Sequence, residues 1–180
     1  GWLGTTHNRR GWRLMSGETF DALLAGWRHE KHLPQSEGGA LPSHHAQCLG
    51  CGAENPHGHH LVVTRDGPNV VAASHTFDAR HVGAPGIVHG GAVATVFDDL
   101  YGFLLYSVGD LAVTRKLDVE YLRPVLLDVD YTLRATIAER AGRKIHMAAS
   151  LEDSTGLLAA RSSALFVTVD IDHFKNHGRS

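Results

Sequence analysis

"PGIVHGGAVATVFDD", residues 85–99, is the stretch on which the reading of this chain turns. A proline and a glycine lead to His89 and two adjacent glycines, and a run of good packing residues then ends in Asp98 and Asp99. From Gly90 onward to Val108 the segment is apolar around most of a helical circumference. Such a helix is buried, not laid on a surface.

The flanks read as strands. Upstream, "HHLVVTRD" and "NVVAASHTF" are β-branched runs separated by Gly67-Pro68, which predicts a hairpin. Downstream, "LAVTRKLDVEYLRP" alternates, placing Val113, Arg115, Leu117, Val119 and Tyr121 on one face. "DVDYTLRATIAER", "KIHMAASLED" and "LLAARSSALFVTVDI" follow, with "AGR" and "STG" as turns. Strands, one long helix and four more strands argue for an α+β class with an antiparallel sheet rather than βαβ repeats. A single buried helix inside a curved antiparallel sheet leaves a small menu of folds, of which the hotdog fold leads.

Near the N-terminus, Ser16 is a candidate N-cap, and Phe20, Leu23, Leu24 and Trp27 follow at helical spacing. Residues 1–43 are therefore read as an extension: a short amphipathic helix, then a Pro/Gly-rich linker over 34–43. The hotdog domain is expected over 44–172, with a tail at 173–180.

Composition excludes several classes. At 180 residues, 43% hydrophobic and 20% charged, the chain is expected to form one soluble globular domain. A formal net charge of −2 offers no electrostatic case for nucleic acid or an anionic membrane. No apolar run reaches the roughly 18–20 residues of a membrane-spanning helix. "GWLGTTHNRRGWRLM" has arginines but no apolar signal core, so no secretory leader is expected, and Met15 is a candidate natural start. Two cysteines do not make a disulfide scaffold, which leaves a reducing compartment, the cytoplasm, as the expectation.

The opening stretch also carries chemistry. Glycines at a helix start let a ligand approach the backbone, and the unpaired N–H groups there favour negative charge. That is the equipment of an oxyanion site, where one donor is worth about 2.7–4 kcal/mol. A carboxylate farther along the helix supplies a base or a nucleophile. Gly90 and Asp98 are eight residues apart, which is roughly 12 Å of helix at 1.5 Å per residue. One helix cannot bring both to the same carbonyl, whereas two antiparallel helices in a twofold dimer can. The plain alternatives stand beside this reading: a turn for the glycines, a structural hydrogen-bonded His89, and Asp98-Asp99 as a solvated face or as partners of arginines. Adjacent helical positions diverge by about 100°, so one of the two carboxylates faces away from any site.

"PGIVHGGAVATVFDD" followed by "AVTRKLDVEYLRPV", with "CLGCGAENPHGHHL" upstream, resembles the PaaI-like branch of the hotdog-fold acyl-CoA thioesterases over residues 44–170. The resemblance implies hydrolysis of an acyl-CoA without a cofactor, by a homodimer or homotetramer whose sites form across the dimer interface. It implies His89 and Gly90 at the oxyanion site with Gly91 beside them. It also implies Asp98 as the catalytic carboxylate with Asp99 a bystander, and Thr114 as the hydroxyl that positions the water or the carboxylate. Some relatives carry an asparagine six residues before the histidine; here that position is Gly83, and no role is assigned to it. Coenzyme A phosphates call for basic residues. Arg115, Lys116, Arg123, Arg143 and Lys144 are the candidates, with the Arg143-Lys144 pair preferred and Arg123 beside it.

Three rival readings are weighed. Cys48 and Cys51, with His44, His45, His57, His59 and His60 nearby, are zinc-type ligands. A second well-spaced pair is missing and the resemblance accounts for C-x-x-C as a loop, so no metal is expected. An enoyl-thioester hydratase would need Asp and His where "AENPHG" has Ala53 and Gly58. A non-catalytic acyl-CoA binder keeps the same fold without turnover. Phe97, Tyr101, Phe103 and Leu104 are candidates for an acyl pocket and equally for the core.

Overall fold

The computed structural model describes residues 38–170 and 172. The predicted N-terminal helix over 16–33 and the tail over 173–180 fall outside the described residues.

The strands run β1 (Val63–Arg65), β2 (Val70–Thr76), β3 (Val82–Ala84) and β4 (Ile87–Val88), with a 3₁₀ turn at Ala79–His81 between β2 and β3. Helix α1 (Gly90–Val108) follows, then β5 (Ala112–Tyr121), β6 (Asp130–Ala141), β7 (Lys144–Asp153) and β8 (Leu158–Thr168). The main sheet has six antiparallel strands in the order β1-β2-β6-β7-β8-β5, and β3-β4 form a small second sheet. This is the hotdog arrangement expected from the sequence.

Helix α1 begins and ends where its residues dictate. His89 is the N-cap and its ring accepts from the Gly91 N–H. Gly109 closes the helix in the left-handed region (φ 79°), with its N–H donating to Leu105 O. Only a residue without a Cβ adopts that conformation at no steric cost. Val93, Val96, Phe97, Leu100, Tyr101, Phe103 and Leu104 are all buried. The four acyl-pocket candidates are therefore core residues of this chain.

The sheet presents the matching face. Tyr131, Leu133 and Ala135 of β6, Ile145, Met147, Ala149 and Leu151 of β7, and Ala160, Ala164 and Phe166 of β8 alternate inward and are buried. Period-2 alternation in three neighbouring strands against one nearly all-apolar helix is what a one-sided antiparallel sheet requires. Each fully buried Leu, Ile, Phe or Met contributes about 1.5–3 kcal/mol.

Two features depart from simple sequence patterns. The chain at 38–41 is already held to β1: Gly38 N–H donates to Arg65 O (2.9 Å), Leu41 N–H donates to Val63 O (2.8 Å), and Leu41 is buried. Strand β5 carries a bulge at Arg115, where the register shifts between Thr114↔Phe166 and Lys116↔Leu165. Partners across a ladder share a face, so Thr114 lies on the inward side with Phe166, and Leu117 with Ala164. The expected common face of Val113, Arg115 and Leu117 is thus corrected: the extra residue flips the alternation and turns Thr114 toward the helix.

Candidate functional site

The two carboxylates of α1 have different surroundings. Asp98 is half-buried, and its Oδ1 accepts a hydrogen bond from Thr114 Oγ1 at 2.8 Å. The β5 bulge makes this contact, because without it Thr114 would stand on the opposite face. Asp98 and Thr114 together form a wall shared by two clefts. One, of about 490 Å³, is also lined by His44, Gly102, Leu105 and Phe166. The other, of about 470 Å³, is lined by Cys48, Gly91, Thr95 and Leu117. Both fall in the usual size range of small-molecule sites.

Asp99 lines the same two clefts but is held by different partners. Its side chain is 8% exposed and its Oδ1 contacts His44 Nδ1 (3.0 Å) and the Cys48 thiol (3.2 Å). Burial pushes its carboxyl above the usual range, partly opposed by the His44 contact. The expectation of a solvated or arginine-paired carboxylate does not hold for Asp99. Beside it, the Cys51–Cys48 hydrogen bond lowers the Cys48 thiol and raises that of Cys51.

The helix N-terminus is built tightly. His89 N–H donates to His81 O (2.8 Å), and its Nδ1 accepts from Gly91 N–H (2.9 Å). In the neutral ring this leaves the proton on Nε2, and His89 is exposed. The Gly91 N–H is therefore already engaged, while the Gly90 N–H has no acceptor among the described residues. A Cβ on Gly91 would stand 3.0 Å from His89 Nδ1, and one on Gly90 3.2 Å from Tyr121 Oη. The two glycines are the gap into which the imidazole and the tyrosine fit.

Tyr121 and Gly83 are contributions that the sequence reading missed. Tyr121 Oη donates to Gly90 O at 2.5 Å, anchoring the first helical residue from β5. Its place at the inward end of an alternating strand was the available signal. A Cβ on Gly83 would fall 2.7 Å from His89 Cα, so this glycine lets β3 pass against the N-cap. It holds no substrate group, yet the backbone path at His89 depends on it.

The basic candidates are dispersed. Arg123 lines a cleft of about 400 Å³ with Gly90, Val93 and Tyr121, and its Nη1 donates to Leu158 O at 3.2 Å. Arg143 lies beyond the other end of the helix, near Gly109 and Asp110. Its Nε and Nη2 both donate to Thr168 O, at 3.0 and 2.9 Å. Lys144 precedes buried Ile145 and so belongs to the outward face of β7. Arg115 sits in the bulge, and Lys116 pairs with Asp118 at 2.8 Å. Arg123 is thus the one preferred cation that lies beside the Gly90 end.

A carboxylate oriented by a hydroxyl, in the wall of a cleft, can abstract a proton from water or attack an electrophilic carbon. A helix N-terminus with an N–H and an imidazole N–H can hold a developing oxyanion.

Comparison with known proteins follows the same line. Residues 85–160 match the model of the thioesterase superfamily. The acyl-coenzyme A thioesterase THEM4 of Rattus norvegicus is 31% identical over 91 residues, covering 50% of this chain and 39% of that protein. Its Mus musculus counterpart is 32% identical over 89 residues, covering 49% and 38%. The chain spans well under two thirds of these curated relatives. Among solved structures, a thioesterase superfamily protein superposes with a TM-score of 0.65 at 23% identity, over 89% of this chain and 81% of its own. A hypothetical thioesterase from Streptococcus pneumoniae TIGR4, crystallised with coenzyme A, gives 0.57 at 18% identity, over 59% and 84%. The PaaI protein of E. coli gives 0.58 at 14% identity, over 62% and 81%. These likenesses show the fold. No helix among the described residues is long and apolar enough to cross a membrane.

Proposed function

Taking as premise a chain whose residues 85–160 carry the thioesterase-superfamily pattern in a hotdog fold, we propose that it is an acyl-CoA thioesterase. The observation that carries this reading is the Thr114–Asp98 hydrogen bond in the wall of two clefts, on the same helix as the His89-Gly90-Gly91 cap. The THEM4 likeness supplies the acyl-CoA substrate class, and the coenzyme A bound to the pneumococcal relative is in keeping with it.

Gly90 N–H and His89 Nε2–H receive the thioester oxygen as it becomes an oxyanion. Asp98, its carboxylate fixed by Thr114, either takes a proton from a water that attacks the carbonyl carbon or attacks that carbon itself. In both cases the C–S bond breaks and the thiolate of coenzyme A leaves. The first route gives the free acid directly, and the second gives an acyl-aspartyl anhydride that water then hydrolyses to the free acid and Asp98. Gly91 serves by orienting His89, and Arg123 is the cation placed to meet a coenzyme A phosphate, ahead of Arg143 and Lys144.

Gly90 and Asp98 of one chain are too far apart for one carbonyl, so the working unit is a homodimer, alone or paired into a tetramer. Strand β5 supports this: it is ten residues long and lies at the sheet edge, with one side unpaired among the described residues. An edge of that length invites a second strand. Two β5 strands paired about a twofold would bring Gly90 of the partner subunit toward Asp98. The two free cysteines support a reducing compartment, the cytoplasm.

Release of free thiol from a panel of acyl-CoAs tests the proposal. Turnover is expected, together with a dimer or tetramer in sedimentation. Binding of acyl-CoA without thiol release would make the protein a binder, and an active monomer would remove the shared site. Thr114→Val is expected to lower kcat about 5–10-fold, the worth of one hydrogen bond, with Thr114→Ser restoring most of it. Gly83→Ala forces the N-cap backbone to shift and is expected to cost about tenfold to a hundredfold in kcat/KM. Unchanged kinetics in Gly83→Ala would show that the His89 position is not critical.

A further inference from the structure

A second cluster lies beside the proposed catalytic pair, and the proposed reaction assigns it no role. His44 Nδ1, Cys48 Sγ, Cys51 Sγ and an Asp99 carboxylate oxygen all lie within 4.8 Å of one another. The close approaches are His44 Nδ1 to Asp99 Oδ1 at 3.0 Å, Cys48 Sγ to Asp99 Oδ1 at 3.2 Å and Cys51 Sγ to His44 Nδ1 at 3.3 Å. Ligands bonded at about 2.0–2.3 Å to a tetrahedral zinc ion stand about 3.3–3.8 Å from each other. Those three separations are at or just below that range and the remaining pairs stay within 4.8 Å, so the four donors surround a space of roughly the size of the ion.

We infer that His44, Cys48, Cys51 and Asp99 form a structural site for a tetrahedral divalent cation of the zinc type. Two thiolates, one imidazole and one carboxylate make a donor set suited to zinc and foreign to magnesium or calcium, which take oxygen shells. Four protein ligands close the site, which is the mark of a structural rather than a catalytic ion.

The surroundings are built for it. His44, Cys48 and Cys51 come from one eight-residue loop segment, and Asp99 comes from the helix that the loop crosses. Cys48 N–H donates to His45 O (3.0 Å) and Gly52 N–H to Cys48 O (2.9 Å), which folds the loop so that both sulfurs face the same point. His44 N–H donates to Cys51 Sγ at 3.2 Å, the kind of backbone contact that stabilises a thiolate. Asp99 Oδ2 is buried and accepts no hydrogen bond among the described residues. A buried carboxylate oxygen left so is costly unless a cation meets it.

Two glycines open the approach. A Cβ on Gly50, between the cysteines, would lie 2.1 Å from Asp99 Cγ. A Cβ on Gly102, one turn along the helix, would lie 2.7 Å from His44 Cε1. Gly in a helix interior costs about 1 kcal/mol relative to Ala, and here the space it leaves is filled by the proposed ligand. The ion would pin the 44–52 loop to α1 at the residue next to Asp98.

The test uses the untagged full chain, purified under reducing conditions without chelator. Elemental analysis is expected to give about one zinc ion per chain, as for a closed structural site. Loading the wild type with cobalt(II) is expected to give thiolate-to-cobalt charge-transfer absorption and the intense d–d bands of a tetrahedral site. The Cys48→Ser/Cys51→Ser double variant should lose both signals, while His57→Ala, at an exposed histidine, should keep both. Chelation should lower the thermal midpoint of the wild type and leave the double variant unmoved. Should the double variant not fold, the cobalt spectrum of the wild type decides alone. Folded wild type that takes up no zinc, cobalt bands without sulfur character, or a Cys48–Cys51 disulfide in the reduced preparation would each overturn the inference. None of these readouts depends on thioesterase activity.

Discussion

Asp98→Asn is expected to lower kcat for acyl-CoA hydrolysis by about 10²–10⁴-fold, the range that a positioned general base contributes. Asparagine has nearly the same shape, and its side-chain oxygen can still accept from Thr114 Oγ1, so the local geometry survives. What it loses is the negative charge that takes a proton or attacks carbon. Because that charge matters most as the carbonyl becomes tetrahedral, KM should change little while kcat falls. Asp98 is not part of the core, and a half-buried substitution of this kind should leave the thermal midpoint nearly unchanged. The assay is thiol release over the acyl-CoA panel, read beside a thermal melt of the same preparation. If the variant turns over like wild type, the base is another group, and the assignment of Asp98 is wrong.

Acid should destabilise the fold through a buried histidine cluster, independently of catalysis. His59 and His75 are buried, with His59 Nδ1 and His75 Nε2 3.4 Å apart, and His59 stacks on His81 at 3.9 Å. Burial first, then the neighbouring histidines, lowers His59 to about 3. Burial, with His81 next, lowers His75 to about 4. Burial also lowers His81. Around them, Asp78 favours the charged forms, Arg80 opposes them, and His60 opposes that of His81. Above the ordinary histidine value of 6.5 both folded and unfolded chains hold these rings neutral, so they contribute no pH dependence. Below it the unfolded chain takes up protons that the folded core refuses until pH about 4 for His75 and about 3 for His59. Stability therefore falls as pH falls, by about 1.4 kcal/mol per pH unit for each histidine. Replacing one of them, in His75→Phe, should remove roughly one share of that slope between about pH 6 and about pH 4.5. Urea melts at a series of pH values measure it. The slope is the readout, so a uniform change in stability from the new ring does not disturb the comparison. An unchanged slope would mean that these rings accept protons in the folded state.

Much of this molecule could be read before any fold was known. The limits of α1 and β7 agree with the segments read from the sequence, and the downstream strands differ only by a few terminal residues. Long periodic segments bounded by glycine turns are legible because burial of one face is itself the cause of the periodicity. The proposed twofold site rests on the same short-range reasoning, the rise of a helix and the spacing of Gly90 and Asp98.

Thr114 shows where such reading stops. Its alternation with Leu117 puts it outside, and one extra residue at Arg115 puts it inside, within reach of Asp98. A bulge leaves no mark on composition, because its cause is pairing with a strand some fifty residues later in the chain. Asp99 was a bystander in sequence for a related reason. What surrounds it, His44 and Cys48, is distant along the chain and arrives only when the loop crosses the helix. Gly83 likewise has a role only because β3 passes the N-cap of α1.

Local order thus answered to the chain alone: which segments are helix or strand, and which face a strand buries where its alternation runs without a bulge. The pairing of Thr114 with Asp98, the gathering of two cysteines, a histidine and Asp99, and the scatter of the basic side chains were settled by folding. The physical reason is range. Periodicity and capping are set within a turn or two of the backbone, whereas side-chain encounters depend on register, bulges and crossings between segments that the sequence keeps far apart.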